Sequence, residues 1–352
     1  MIRSHGAIAL ASFASKCDEL VPCRGAKCSI SCGATSSSSS SSSNSSENYR
    51  RTLEALKSKN RRPKRWLGQN YMVNSNINDE IVRAAEIQPG DLVLEIGPGT
   101  GALTDSLLCA GAYVIAVEKD PDMVSLVSER FKDNPRVKLF QDDILKWHIR
   151  LHLSNWMETI KSPSKLVKVV SNLPFNITTD VVKKLLPMGD LFSNVVLLLQ
   201  DEAAARFIDD SPKGDEYRPI SIFIRFFSEM EYKFKVDRLN FFPPPPVNGA
   251  VVSFSLKDSS QYPEVKSVKR FFTLVNSAFT GKRKMLRTSL RHLYSSSEVE
   301  NALCSIGVVE TVRCFIIFPL FLARSLDSSR QGLINYHSVS LLIFTTLWQR
   351  RV

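Results

Sequence analysis

Apolar residues fall into short blocks along this chain, separated by polar turns, and the blocks become regular only after about residue 48. A basic segment at 50–65 predicts a short helix ending before Pro63. Ile81, Val82, Ala84, Ala85 and Ile87 then recur at helical spacing; the Asn78-Asp79-Glu80 run predicts a capped start, and Pro89-Gly90 a stop. Beyond it, apolar runs of strand length at 91–96, 113–117, 137–140, 166–170 and 195–199 alternate with helical patterns at 102–109 and 123–131. This succession predicts an α/β fold, a largely parallel sheet with helices on both faces. After about residue 215 the rhythm changes to a smaller, more basic and aromatic segment, which reads as a second domain.

At 352 residues and 43% hydrophobic composition, the chain can bury two cores. Its formal net charge is +11, and most of the Lys and Arg lie beyond residue 50. That favours a polyanionic partner, nucleic acid ahead of an anionic membrane surface. The seven cysteines are scattered or sit in the leader, with no second ligand pair at zinc-finger spacing, so reduced structural thiols and no metal are expected. Residues 1–47 are rich in Ser and Ala and poor in acids, with an unbroken serine run from Ser36 to Ser43. Such a stretch cannot bury enough apolar surface to fold. It reads as an organellar transit peptide, chloroplast ahead of mitochondrion, with a disordered cytosolic tail as the alternative.

The strand at 91–96 runs straight into Gly97-Pro98-Gly99-Thr100-Gly101 and then a helix. Glycines there allow a sharp turn and close approach of a ligand. The next strand ends in Glu118, about 20 residues on, placed to accept both hydroxyls of a ribose. The pair points to an adenosine-containing cofactor. The Gly-x-Gly-x-Gly spacing departs from the G-x-G-x-x-G dinucleotide fingerprint, and a methyl donor has no pyrophosphate to clasp. Asp142-Asp143 closes the third strand, where a carboxylate could accept from an adenine amino group.

Ser171-Asn172-Leu173-Pro174-Phe175-Asn176 follows another apolar strand. An exocyclic adenine amine is a poor nucleophile because its lone pair is delocalised into the ring. The side-chain oxygen of Asn172 and the backbone carbonyl of Leu173 could accept its two hydrogens and favour a pyramidal nitrogen. Pro174 fixes the backbone, and Phe175 offers a face on which an unstacked base can lie. No metal and no strong base are required.

With these residues in place, the chain resembles the ribosomal RNA adenine dimethyltransferase family. The matching stretches are Gly68-Gln69-Asn70-Tyr71-Met72, the loop from Glu95 to Gly101, Val117-Glu118-Lys119-Asp120, Gln141-Asp142-Asp143-Ile144-Leu145, Asn172-Leu173-Pro174-Phe175, and Phe241-Phe242-Pro243-Pro244-Pro245-Pro246-Val247 leading to Ala250-Val251-Val252. They run in family order over about residues 64–313. The resemblance implies a Rossmann-like S-adenosylmethionine-dependent methyltransferase domain at 48–214, with final strands from about 229–256, and a smaller, mainly helical RNA-binding domain at 257–313. It implies cofactor contacts from Asn70, Met72, Gly97, Gly99, Glu118, Asp143 and Asn172, and Phe175 and Phe241 flanking an extruded adenine. The expected reaction places two methyls on each of two adjacent adenines near the 3′ end of small-subunit rRNA, in naked or pre-ribosomal form, by a monomer with no membrane attachment. Lys282, Arg283, Lys284 and Arg287, with Arg291, form a basic stretch suited to phosphates, and Arg206 is a further candidate. The alternatives are a non-catalytic organellar nucleic-acid-binding factor on the same fold, and a small-molecule methyltransferase or nicotinamide dehydrogenase.

The resemblance lapses after Arg313. Residues 314–352 open with an apolar run broken by Pro319 and too short for a membrane span. This atypical tail is expected to derive from a retained intron or an incorrect gene model.

Overall fold

A computed structural model of the chain describes residues 54, 63–160, 166–208, 218–263, 265, 267–280 and 284–305. The expected leader, nearly all of the 50–65 helix, the tail, and Lys282 and Arg283 lie outside the described residues.

A seven-stranded sheet organises the molecule. Its strands are β2 (Leu92–Ile96), β3 (Tyr113–Glu118), β4 (Val137–Gln141), β5 (Val167–Asn172), β6 (Phe192–Gln200), β7 (Ser228–Val236) and β9 (Gly249–Leu256), while β1 (Tyr71–Met72) pairs with β8 (Phe241–Phe242) in a separate ribbon. The order is β4-β3-β2-β5-β6-β9-β7. The first five run parallel, and β9 is antiparallel to both β6 and β7. The largely parallel sheet expected from the alternation is present, and the segment at 229–256 supplies the two strands at one edge.

Helices cover both faces because side chains alternate along each strand. Leu92, Leu94 and Ile96 of β2 join one apolar cluster, which takes Leu153 and Trp156 from α4 (Ile149–Ile160), Val181 and Leu185 from α5 (Thr178–Leu185), and Phe226 and Phe227 from α7 (Pro219–Phe227). Val93 faces the other cluster, with Ile81 and Val82 of α1 (Ser75–Ala84) and Leu103 and Leu107 of α2 (Ala102–Cys109). Every β2 residue is buried, whereas the edge strand β4 has none that is. Each fully buried Leu or Val contributes about 1.5–3 kcal/mol of transfer free energy, so the central strands are the firmest part of the frame. A smaller helical cluster gathers Leu274, Val275 and Ala278 of α8 (Val268–Phe279), Leu286 and Leu290 of α9 (Leu286–Leu290) and Val299 of α10 (Ser296–Ser305) against Ile222 of α7.

The start of α1 differs from the expectation. Asn74, not Asn78, caps it, accepting from the Asn76 N–H at 3.1 Å, and Asn78 is buried inside the helix. The earlier start adds Ile77 to the apolar stripe, one turn before Ile81. The helix also stops earlier, at a left-handed Glu86 (φ 51°), whose N–H donates to Arg83 while that of Ile87 donates to Val82. This is the double bond pattern of a helix-ending Schellman turn.

Candidate active site

The chain lays β2, β3 and β4 out in one direction and then returns to place β5 on the other side of β2. Loops leaving β2 and β5 therefore diverge and open a crevice beyond their carboxyl ends. The cavity found there is lined by the β2 loop (Gly97, Pro98, Gly99), the ends of β3 and β4 (Glu118, Asp143), the β5 exit (Asn172 to Phe175) and the strap preceding β1 (Trp66 to Met72). Asn70, Met72, Gly97, Gly99, Glu118, Asp143, Asn172, Leu173, Pro174 and Phe175, all expected at the site, meet on this one surface.

The β2 loop is left-handed at Gly97, Gly99 and Gly101. A Cβ on Gly99 would come within 3.1 Å of the Tyr71 ring, so the strap packs against a loop that only glycine allows. The Glu118 carboxylate accepts from the N–H groups of Gly99 (3.3 Å) and Asp120 (2.9 Å). Burial raises its pKa, and those bonds oppose the rise. The Asp143 carboxylate accepts from Lys119 Nζ (2.9 Å) and from the Leu145 N–H (3.0 Å). Burial pushes its pKa up, but these partners prevail and hold it below the usual range.

At the β5 exit, the Asn172 amide nitrogen donates to the Asn70 carbonyl at 3.4 Å. That bond orients the side chain and leaves Oδ1 as an acceptor. Leu173 donates its N–H to Leu198 at 3.1 Å. Phe175 opens a 3₁₀ turn (Phe175–Ile177) and is half-buried on the cavity wall.

Phe241 is a correction. It is 3% exposed and packs in the core with Met72, Val236 and Val251, off the cavity wall. Alternation along β8 explains this: Phe241 turns inward opposite Met72, while Phe242 turns toward Tyr71 and Met123. Of the expected RNA contacts, Lys284 and Arg206 are exposed, whereas Arg287 is bonded to Glu300 at 2.6 Å.

Three features were not anticipated. Glu95, within β2, is 1% exposed; Thr104 Oγ1 donates to its Oε2 at 2.6 Å, and Oε1 has no hydrogen-bond partner. Burial pushes its carboxyl up to about 8, the Thr104 bond resisting. Asn78 Oδ1 is also buried without a partner, and both residues line the cavity. An acid inside a continuous apolar strand was the available signal for Glu95; the sequence marked Asn78 only as a helix cap. The third is Lys184 on α5, whose ammonium donates to the carbonyls of Ile144, Leu145 and Trp147 at 2.6, 2.9 and 2.9 Å, pinning the loop that carries Asp143.

These atoms define what the cavity accepts. Four carboxyl groups (Glu95, Glu118, Asp142, Asp143) and one Lys (Lys119) line it. Two orphaned acceptors call for donors, since buried polar atoms are normally bonded. S-adenosylmethionine, which carries an ammonium and a sulfonium, fits that donor set. A pyrophosphate would add negative charge to an already acidic wall, which disfavours the nicotinamide alternative. Among the described residues, no three His, Cys, Asp or Glu side chains group as metal ligands, and no helix is long and apolar enough to cross a membrane.

Comparison with known proteins shows the family. The family model for ribosomal RNA adenine dimethylase matches residues 60–313, ending where the sequence turns atypical. The chloroplastic ribosomal RNA small subunit methyltransferase of Arabidopsis thaliana is 56% identical over 287 residues, covering 81% of each chain. Ribosomal RNA small subunit methyltransferase A of Protochlamydia amoebophila is 36% identical over 70% of this chain and 84% of its own. Among solved structures, a dimethyladenosine transferase from Plasmodium falciparum aligns at 26% identity with a TM-score of 0.54, over 78% of this chain and 96% of that one. The 23S rRNA methyltransferase ErmE shares the fold, with 24% identity and a TM-score of 0.53 over 74% and 100% of the two chains.

Proposed function

The chain belongs to the ribosomal RNA adenine dimethylase family, and we infer from that membership and the cavity how its residues divide the work. It is an S-adenosylmethionine-dependent methyltransferase that dimethylates N6 of adenine in ribosomal RNA. The substrate proposed is a pair of adjacent adenines near the 3′ end of small-subunit rRNA, and the enzyme acts as a monomer.

When bound, S-adenosylmethionine supplies an electrophilic methyl carbon on a sulfonium sulfur. Glu118 would accept from the ribose hydroxyls, Asp143 and its loop would hold the adenine, and Asn70, Met72, Gly97 and Gly99 would enclose the remainder. Glu95 and Asn78 offer their orphaned oxygens to the ammonium. On the other side, Phe175 stacks on the extruded target base. Asn172 Oδ1 and the Leu173 carbonyl accept the two amino hydrogens, drawing the nitrogen lone pair out of the ring and toward the methyl carbon. With the amine oriented in this way the chain need supply no base, since the nitrogen would release its proton to water once methylated. For the second transfer one acceptor is vacated by the first methyl, and the base turns about the same stacking face.

The observation that carries this reading is the convergence of Glu118 and Asn172 on one cavity, the Asn172 amide being set by its bond to Asn70. Calorimetric titration with S-adenosylmethionine tests it. Glu118→Gln is expected to weaken binding about ten- to a hundredfold, the loss of charge-assisted bonds; unchanged affinity would contradict the assignment.

For RNA contact we propose the exposed Lys284 and Arg206, with Arg287, Lys282 and Arg283 contributing to the same phosphate-binding segment. For compartment we propose the chloroplast, supported by the Ser-rich, acid-poor leader and the chloroplastic relative. A fluorescent fusion carrying residues 1–47 is expected to enter chloroplasts, and one that stayed in the cytosol would contradict this.

A further inference from the structure

Trp66 stands apart from the other tryptophans of the described residues. Trp147 and Trp156 are 2% and 3% exposed in the core, whereas Trp66 is 72% exposed. Leaving so large an apolar side chain in water forgoes the stabilisation that burial would give it. The indole sits on a 3₁₀ turn (Arg65–Leu67) at the rim of the cavity that also holds Asn172, Pro174 and Phe175.

The turn is firmly held from two sides. On the cofactor side, Lys64 Nζ bonds Asp120 and Asp122 at 2.7 and 2.8 Å, and Gln69 Nε2 donates to Asp120 at 2.7 Å. The Lys64 N–H donates to Gln69 Oε1 at 2.8 Å, closing the strap on itself. On the target side, left-handed Gly68 lies against Pro174 and Asn176, so closely that a Cβ there would meet Asn176 Oδ1 at 3.0 Å. The exposed ring is therefore mounted on a fixed scaffold beside the target-base motif.

We propose that Trp66 is a stacking platform for the nucleotide adjoining the target adenine. The proposal rests on the reading that the target base lies at Asn172–Phe175. Extruding one base from single-stranded RNA strips its neighbour of a stacking partner, and an aromatic face at the cavity rim replaces it without demanding a particular base. The face supplies RNA affinity and register, while the chemistry remains with Asn172 and Leu173.

The test uses the full chain with Trp66→Ala and Trp66→Phe, and a synthetic RNA stem-loop bearing two adjacent adenines in its loop. RNA titration should quench intrinsic fluorescence in the wild type, and Trp66→Phe should lose the share of that quench that Trp66 carries, Trp147 and Trp156 being buried. Trp66→Ala should raise the KM for RNA about tenfold, with the loss falling on KM rather than kcat, and Trp66→Phe should restore most of it. Equal quench in wild type and Trp66→Phe, an unchanged KM in Trp66→Ala, or a collapse of S-adenosylmethionine affinity in that variant would each overturn the proposal, the last by exposing a purely structural role. Failure of the underlying reading is separable: it would show as full kcat in Asn172→Ala, whatever Trp66 does.

Discussion

Glu95 shows how burial tunes a single carboxyl. Desolvation, helped by the charge of Glu118, holds it near 8 against the Thr104 bond and the charge of Arg130. A folded-state pKa above the unfolded one means that the native state binds the proton more tightly. The resulting stability is present in full below the ordinary glutamate value of 4.5 and is lost as pH rises through about 8. Gln does not titrate, so Glu95→Gln should gain stability on the wild type as pH rises across this window, by at most about 1.4 kcal/mol per pH unit. Denaturant melts of both proteins without cofactor at pH 5 and pH 8 measure the difference; a pH-independent gap would show that Glu95 is ionised throughout. At this scale, Glu118 and Asn172 were legible because each follows an apolar strand at a characteristic spacing. Phe241 misled because two adjacent phenylalanines in a short strand face opposite ways, and only the pairing of β1 with β8 decides which turns inward.

At the scale of elements, the site depends on loops that the sheet alone does not fix. The loop after β4 leaves an edge strand, and its position comes from Lys184 on α5, whose three donors bridge it to the helix following the Asn172 motif. Lys184→Met would take a donor from the Ile144 and Leu145 carbonyls, and from that of Trp147, which also accepts from the Ile149 N–H, and would release the Asp143 loop. The expected result is a loss of about 1–3 kcal/mol in stability and roughly tenfold weaker binding of S-adenosylmethionine, partly restored by Lys184→Arg. Thermal melts and calorimetry check the two effects; full cofactor affinity in Lys184→Met would show that the loop holds itself. The parallel strands β2, β3, β5 and β6 and helix α2 were readable from period and length, because buried parallel strands are continuous apolar runs. The start of α1 was not, since Asn74, Asn76 and Asn78 are all competent caps and only burial of Ile77 and Asn78 chooses among them. The Lys184 bridge was invisible for a related reason: its partners are backbone carbonyls, which carry no sequence signature.

For the whole molecule, a cavity walled by carboxylates is set in a chain of net charge +11. The two signs serve different ligands, a cationic methyl donor inside and a polyanion outside. The external excess should make RNA binding fall steeply with salt, because each neutralised phosphate releases a counterion. Replacing Lys284 and Arg206 together with Ala should reduce the log–log salt slope by about one to two units while leaving S-adenosylmethionine affinity unaltered. Filter-binding of the stem-loop RNA across a salt series reads this directly, and an unchanged slope would place the phosphate track elsewhere on the surface.

The central claim is that the Asn172 amide and the Leu173 carbonyl hold an adenine amino group against a sulfonium methyl. Small ribosomal subunits lacking the modification, incubated with the enzyme and S-adenosylmethionine and then digested to nucleosides for mass spectrometry, test it most directly. Wild-type protein should yield N6,N6-dimethyladenosine, and Asn172→Ala should reduce its rate of formation by about a hundredfold or more. Methylation of any other nucleoside by the wild type, or undiminished dimethyladenosine from Asn172→Ala, would contradict the account.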